Sequence, residues 1–128
     1  MKIGEVIKVS VKADELYSSE PKILVNIGEI YQIKVNKKQY WKDSFVTTNP
    51  DGFFNPLLFI SGRRVKGVKC FCLCATINAN EENHFKIGSG IHEFKIEQQG
   101  TLFFFPNDSI NHYRNNSGSI SLEIKRIN

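Results

Sequence analysis

The segment Ile7-Lys8-Val9-Ser10-Val11-Lys12 alternates an apolar side chain with a polar one at every position. A repeat of two residues is that of a β-strand with one face in a core and the other in water, and it does not match the 3.6-residue repeat of a helix. The same alternation returns at Tyr31, Ile33 and Val35. We therefore predict antiparallel strands whose apolar faces line a common core.

Outward from these two segments, further runs rich in β-branched and aromatic residues extend the pattern to about eight strands. Segments rich in Asn, Gly and Pro separate them, and no segment has convincing helical periodicity. Short strands at regular spacing predict an all-β fold, an antiparallel β-sandwich of the jelly-roll kind with loops gathered at its two ends. The six additional strands are predicted at residues 23–27, 57–60, 68–77, 92–96, 102–105 and 119–127.

The length of 128 residues predicts one domain spanning residues 1–128. A hydrophobic content of 41%, with ten Phe and four Pro, indicates a packed core rather than disorder. The formal charge of +4 comes from basic residues in loose groups, which are typical of solvated faces. Weak binding to nucleic acid or to an acidic surface stays open as the alternative use of these groups.

Three cysteines, Cys70, Cys72 and Cys74, alternate with Phe71 and Leu73. In a strand this spacing places all three thiols on one face, where they cannot pair neatly with one another. A zinc site is disfavoured because C-x-C-x-C in one strand gives poor tetrahedral geometry and no His follows at finger spacing. We expect buried, reduced thiols that act as small apolar side chains.

The amino terminus lacks a basic region followed by an apolar run, and no stretch approaches the roughly 20 apolar residues of a membrane span. No membrane insertion is expected. Together with the odd number of cysteines, this predicts a cytoplasmic protein, and release to the extracellular space by a route without a signal peptide stays open.

The segment from Asn111 to Ser119, with Asp108 three residues upstream, concentrates hard oxygen donors. A carboxylate, the adjacent carboxamides of Asn115 and Asn116, and backbone carbonyls in a tight turn are the ligands that Ca²⁺ prefers. The plainer interpretation is a polar hairpin loop, because Asn, Asp, Ser and Gly are the usual residues of any turn. Chemistry alone leaves both interpretations open.

Asn107-Asp108, then Tyr113, then Asn115-Asn116-Ser117-Gly118-Ser119 resemble, at unchanged spacing, the calcium-dependent galactose-binding lectins of the PA-IL type. The likeness runs without a gap back to about Ile77 and extends more weakly over most of the remaining chain. It implies a galactose-binding-domain-like sandwich, one Ca²⁺ per subunit, and a homo-oligomer that is a tetramer in the family.

The resemblance also implies how the metal is held. Asp108 would ligate Ca²⁺ through its carboxylate, Asn115 and Asn116 through their side-chain oxygens, and His112 through its backbone carbonyl. The family takes a further backbone carbonyl from a Tyr in the loop that corresponds to residues 39–44, where Tyr40 is the candidate.

In such lectins two neighbouring hydroxyls of the sugar complete the coordination of the metal. Family members also use a His and a Gln on a neighbouring loop to hold the exocyclic hydroxymethyl group, whereas this chain has Phe53-Phe54-Asn55-Pro56-Leu57 there and no evident Gln. Asn55 is the candidate substitute, so discrimination at that group is expected to be weak. The implied sugar-binding residues are Asp108, Ser109, His112, Asn115, Asn55 and Tyr40.

The leading hypothesis is a calcium-dependent lectin for galactose-containing glycans, or for a similar sugar with a chelating vicinal diol. The alternative is a non-catalytic β-sandwich interaction module that binds a protein or nucleic acid through its basic loops. An enzyme is not expected, because no sequence signature places a carboxylate pair, a Ser-His-Asp set or a Cys-His pair. The histidines His84, His92 and His112 are separate and are interpreted as surface or loop residues.

Overall fold

The computed structural model describes residues 1–54 and 63–128. Within these ranges the protein forms ten β-strands and a 3₁₀ helix, Ile110–Asn115. The strands are β1 (Val6–Lys12), β2 (Ser18–Val25), β3 (Ile30–Val35), β4 (Trp41–Asp43), β5 (Val46–Thr48), β6 (Leu73–Ile77), β7 (His84–Lys86), β8 (Gly90–Lys95), β9 (Gly100–Pro106) and β10 (Asn116–Arg126).

The long strand β10 organises one half of the fold. β1 pairs antiparallel with it along one edge, from Lys12 opposite Ser119 to Val6 opposite Lys125. Along the other edge, the first three residues of β10 pair with β4, and the later residues pair with β3. The strand that follows the 3₁₀ helix is therefore fixed by hydrogen bonds on both sides.

The strands join into one antiparallel sheet in the order β5-β4-β10-β1-β2-β9-β6-β7, with β3 attached to β10 and β8 attached to β3. β2 pairs with β9 at Ser18 and again over Ile23–Val25, with a change of register between them, and it pairs with β1 at Glu20. Such an irregularity lets a strand bend from one layer to the other. The sheet curls on itself, and the predicted all-β antiparallel sandwich is confirmed.

The core lies between the two layers and follows the alternation of the strands. In β10, Ile120, Leu122 and Ile124 are buried while Ser121 and Glu123 are exposed. Most of the buried apolar side chains of the two layers form one large cluster. Full burial of each such side chain contributes about 1.5–3 kcal/mol relative to exposure, so the alternation that predicts the strands also fixes which face points inward.

The observed elements depart from the predicted ones at three places. The strand predicted at residues 68–77 is wrong in its first part, because Phe71 has a positive φ of 61° and β6 begins only at Leu73. The 3₁₀ helix lies where only a turn was predicted, and the three-residue strands β4, β5 and β7 were not predicted at all. The strand predicted at residues 57–60 lies outside the described residues.

Cys70, Cys72 and Cys74 are all buried and unpaired. Cys72 and Cys74 lie in a second, smaller apolar cluster together with Phe105 and Tyr113. The expectation of buried apolar thiols is confirmed. Cys70 lies outside that cluster, since the left-handed backbone at Phe71 interrupts the alternation.

The described part of the chain contains no helix with the length and apolar character needed to cross a lipid bilayer.

Candidate functional site

The connection from β9 to β10 starts at Asn107, which is 1% exposed. Its side-chain Oδ1 accepts a hydrogen bond from the Val65 backbone N–H at 2.8 Å. Its Nδ2 donates to the backbone carbonyls of Val65, Val68 and Lys69 at 2.9 to 3.1 Å. A side-chain amide that is fully bonded in this way replaces regular backbone pairing and holds the chain where β9 ends.

Tyr113 anchors the 3₁₀ helix that follows. Its ring is buried in the smaller apolar cluster, and its hydroxyl donates to the carbonyl of Pro106 at the end of β9. The neighbouring His112, Arg114 and Asn115 are exposed. The helix is therefore packed against the protein through Tyr113 and leaves its other side chains facing solvent.

Asp108 and Asn116 meet at the base of this connection, and both are nearly buried, with 7% and 6% of their surface exposed. Asn116 Nδ2 donates to Asp108 Oδ2 at 3.1 Å and to the carbonyl of Ala13 at 3.0 Å. Asp108 Oδ1 accepts the backbone N–H of Ser109 at 2.8 Å. The Oδ1 of Asn116 is buried and has no hydrogen-bond partner among residues 1–54 and 63–128.

An unpartnered buried carbonyl oxygen costs about 1–3 kcal/mol, so the Oδ1 of Asn116 is a strong candidate for a ligand contact. Both donor hydrogens of the Asn116 amide are already used on Ala13 and Asp108. These bonds fix the orientation of the amide and leave its oxygen as the available acceptor. An amide oxygen that is oriented in this way is suited to coordinate a cation.

β4 brings a second carboxylate to the same place. Asp43 lies opposite Asn116 in the antiparallel register, and the N–H of the next residue, Ser44, donates to the carbonyl of Asn115 at 3.0 Å. Partial burial, and then the nearby charge of Asp108, raise the pKa of Asp43 to about 6, against the opposing effect of His112. A carboxylate whose pKa is raised by a neighbouring carboxylate lies in a region of excess negative charge.

Burial also raises the pKa of Asp108, while its hydrogen bonds from Asn116 and Ser109 act in the opposite direction. The donor set of two carboxylates, a free amide oxygen and nearby backbone carbonyls consists of hard oxygens, and it fits Ca²⁺. In residues 1–54 and 63–128 no three His, Cys, Asp or Glu side chains come together as a metal site, so amide and backbone oxygens would have to supply the remaining ligands.

No protein-family model matches this chain, and no curated protein sequence matches it. A solved structure does: the EclA N-terminal domain, a PllA-like lectin, superposes with a TM-score of 0.69 over 94% of this chain and 97% of that domain, at 21% sequence identity. The chain has the fold of a PllA-like lectin. The resemblance inferred from residues 107–119 is thereby confirmed at the level of fold.

In this lectin fold, the structure brings some of the predicted site residues together. Asp108 and Asn116 are in direct contact, and Ser109 is bonded to the same carboxylate. His112 and Asn115 lie on the 3₁₀ helix between them, with exposed side chains. Asn55 falls outside the described residues.

Tyr40, the remaining candidate, directly precedes β4. Its side chain is 62% exposed, and its carbonyl oxygen lies beside Gly118, 3.6 Å from where a Cβ on that glycine would be. In the same loop it is Asp43, at the other end of β4, that lies opposite Asn116. Sequence reasoning missed Asp43, although an acidic residue in the loop already selected by the resemblance was an available signal.

A groove of about 850 Å³ lies along β1, β10, β3 and β8, and none of Asp43, Asp108 and Asn116 lines it. Its charged lining residues include Lys8, Lys34 and Glu123, which oppose one another across the three strands. The candidate site is therefore distinct from this groove.

Proposed function

We propose that this protein is a calcium-dependent lectin, without enzymatic activity, that binds terminal galactose or a similar sugar with a vicinal diol. The observation that carries the proposal is the Oδ1 of Asn116, which is buried beside the carboxylate of Asp108 and has no hydrogen-bond partner in the part of the chain that the structure describes. The lectin description of the structural neighbour supports carbohydrate binding in general.

The proposed ligands of Ca²⁺ are the side-chain oxygens of Asp108, Asn115 and Asn116 and the backbone carbonyl of His112. Asp43, opposite Asn116 in the sheet, adds a second carboxylate next to them. The hydrogen bonds of Asn116 to Ala13 and Asp108 preorganise its oxygen, which reduces the ordering cost of binding. Bound calcium would supply coordination positions for two neighbouring hydroxyls of a sugar.

Sugar recognition would then depend on groups around the metal. Asp108 and Asn115 would form hydrogen bonds with the chelated hydroxyls, and Ser109 and His112 would contribute the nearby backbone. Asn55 and Tyr40 would contact the rest of the sugar. A site with so few contacts is expected to have a Kd between about 1 mM and 1 μM, or about −4 to −8 kcal/mol.

Calcium-dependent stabilisation tests the metal part of this proposal. A ligand that binds only the folded state raises its stability by RT ln(1 + [L]/Kd), about 2.7 kcal/mol at 100 times Kd. We expect the melting temperature of the native protein to rise with Ca²⁺ relative to chelator. Asp108→Asn, which keeps the shape and removes the charge, should lose this rise.

Asp14→Asn is the matched control, because it makes the same chemical change at an exposed position next to Ala13. It should keep the calcium-dependent rise. Identical melting curves with calcium and with chelator for the native protein would show that the metal proposal is wrong. A glycan array run in both conditions tests the sugar part: galactose-terminated glycans should bind with calcium and not with chelator.

A further inference from the structure

Arg64 has a side chain that is only 1% exposed, although it carries a permanent charge. Its Nη1 donates to the Tyr113 hydroxyl and to the carbonyl of Leu16, both at 2.8 Å. Its Nη2 and Nε donate to the two carboxylate oxygens of Glu81, at 2.8 and 3.3 Å. The guanidinium carbon lies 3.6 Å from the centre of the Phe105 ring.

These contacts compensate for removing the charge from water. A buried cation is tolerated only when it is paired and its donors are satisfied, and here Glu81 supplies the opposite charge. Glu81 is itself held by the Tyr17 hydroxyl and lies against His84, whose ring packs on Phe105. The planar fork of an arginine can reach all of these acceptors together, whereas the single ammonium of a lysine cannot.

Arg64 forms hydrogen bonds with the candidate site at two points. Its backbone N–H donates to the carbonyl of Asp108 at 3.2 Å, and its side chain binds Tyr113 at the centre of the 3₁₀ helix. Between these points lies the chain that carries the backbone carbonyl of His112. The hydroxyl of Tyr113 accepts from Arg64 and donates to Pro106, so it transmits the position of Arg64 to the end of β9.

We infer that Arg64 is a positioning residue for the calcium site, and that it acts through Tyr113 by holding residues 108–116 in the conformation that presents their oxygens. The inference rests on the proposed function, and it extends that function to a residue that does not itself contact the metal or the sugar.

Loss of the Arg64 side chain should change the calcium affinity in opposite directions, depending on whether Arg64 acts through its charge or as a support of the metal ligands. Removing a positive charge near a cation site, by itself, strengthens binding of the cation. Removing a support of the metal ligands weakens it, typically by 10–100-fold for groups that orient ligands. A fall in calcium affinity on loss of the Arg64 guanidinium therefore reports positioning and cannot be produced by the charge alone.

The test measures calcium affinity by titration calorimetry in the native protein, Arg64→Ala, Arg64→Lys, Tyr113→Phe and the Arg64→Ala/Tyr113→Phe double variant. We expect Arg64→Ala to bind calcium about 10–100-fold more weakly and Arg64→Lys not to restore the affinity. Tyr113→Phe should also weaken calcium binding. The double variant should bind calcium no more weakly than the weaker-binding single variant, because both changes break the same hydrogen bond between Arg64 and Tyr113. Arg114→Ala, which removes an exposed guanidinium beside Tyr113, is the control and should bind calcium as the native protein does or more tightly.

Unchanged or increased affinity in Arg64→Ala, or fully additive losses in the double variant, would overturn the inference. Tyr113→Phe keeps the buried ring, so it supplies the test if Arg64→Ala does not fold.

Hydrogen exchange in chelator separates this inference from the proposed function. Amides of residues 109–116 should exchange faster in Tyr113→Phe and in the Arg64 variants, while those of β10 beyond Ile120 should stay protected. This measurement needs no calcium, so unchanged exchange at residues 109–116 would refute the role of Arg64 even if the native protein did not bind calcium. A native protein that binds no calcium would refute the proposed function.

Discussion

At the scale of single residues, the candidate site combines groups that oppose folding when no cation is present. The Oδ1 of Asn116 is buried without a hydrogen-bond partner among the described residues, and burial together with the nearby charge of Asp108 raises the pKa of Asp43. Each of these features costs free energy in the folded state, and a bound divalent cation would reverse each cost. Local conflict of this kind is expected at functional sites rather than in structural loops.

The raised pKa of Asp43 makes the free energy of unfolding depend on pH, which provides a test of its electrostatic cost. Its pKa is about 6 in the folded protein and about 4 in an unfolded chain. Because the folded state holds this proton at the higher pH, the free energy of unfolding in chelator should fall as pH rises from about 4 to about 6, and it should stay low above that range. Asp43→Asn should melt at a higher temperature than the native protein in chelator at pH 7.5, and this difference should shrink toward pH 4.

The calcium affinity of Asp43→Asn should be lower than that of the native protein, although its melting temperature in chelator is higher, since the variant lacks a negative charge near the metal. Equal melting temperatures of the native protein and Asp43→Asn across this pH range would contradict the placement of Asp43 beside Asp108.

Specificity is the second test at the residue scale. Mutation of Asp108 would remove both a metal ligand and a sugar contact, so Asp108→Ala should abolish binding of a galactoside. Asn55→Ala should weaken binding only a few-fold, because one partly exposed hydrogen bond contributes about 0.5–1.5 kcal/mol. Titration of both variants with the same galactoside compares them directly, and an equally complete loss in Asn55→Ala would mean that residues 53–57 dominate recognition.

The sequence predicted part of this site, for identifiable reasons. Asp108 and Asn116 are eight residues apart, and the resemblance to the PA-IL-type lectins implied that they share a site, whereas the residue types alone also fitted a polar hairpin loop. Asp43 is 65 residues from Asp108, and its proximity depends on the pairing of β4 with β10. Such register is set by packing across the whole sheet, which a local pattern does not contain.

At the scale of elements, the close approach of β4 and β10 depends on Gly118. This residue has a φ of +88°, and a Cβ built on it would lie 3.2 Å from the Trp41 Cα. Trp41 is buried and packs edge-on against Phe71, so the backbone of β4 has little freedom to move away. Both the backbone conformation and the contact favour glycine at this position.

Gly118→Ala should therefore destabilise the protein by about 1–3 kcal/mol in urea unfolding and should weaken calcium binding, because a shift of β4 displaces Asp43. Gly28→Ala is the matched control: Gly28 also has a positive φ, of +91°, but its added Cβ meets no atom within 4 Å. It should lower stability by less and leave calcium affinity unchanged. Equal effects of the two substitutions on both measurements would show that the β4–β10 contact does not position the site.

Prediction from sequence was most successful for the longer elements. The alternation of Val9 and Val11, and of Tyr31, Ile33 and Val35, repeats often enough to define a buried face, and these strands formed as predicted. A three-residue strand such as β4 is too short to show a period, and its existence depends on its partners. The 3₁₀ helix has one buried residue, Tyr113, so it has no apolar periodicity that could reveal it.

At the scale of the whole molecule, the sandwich gathers one end of several strands around the candidate site. The loop before β10, the end of β4 and the segment around Arg64 are far apart in sequence, yet the curled sheet brings them together. Burial of the alternating faces determines this curl, which explains why an all-β class could be predicted while the contacts between loops could not.

A single site with few contacts implies that useful affinity must come from several sites acting together. Linked sites convert a second binding event into an intramolecular one, and avidity can exceed the affinity of one site by 10²–10⁴-fold. We therefore expect a homo-oligomer, a tetramer by resemblance, which analytical ultracentrifugation of the native protein should detect. Binding to a densely galactosylated surface should be at least 100-fold tighter than binding to a free monovalent galactoside, and the difference should disappear on a surface too sparse to engage two sites. Asp108→Asn should keep the same sedimentation behaviour while losing both binding modes, which separates assembly from recognition. A monomer that shows equal affinity for the free sugar and for the dense surface would refute the multivalent part of the proposal.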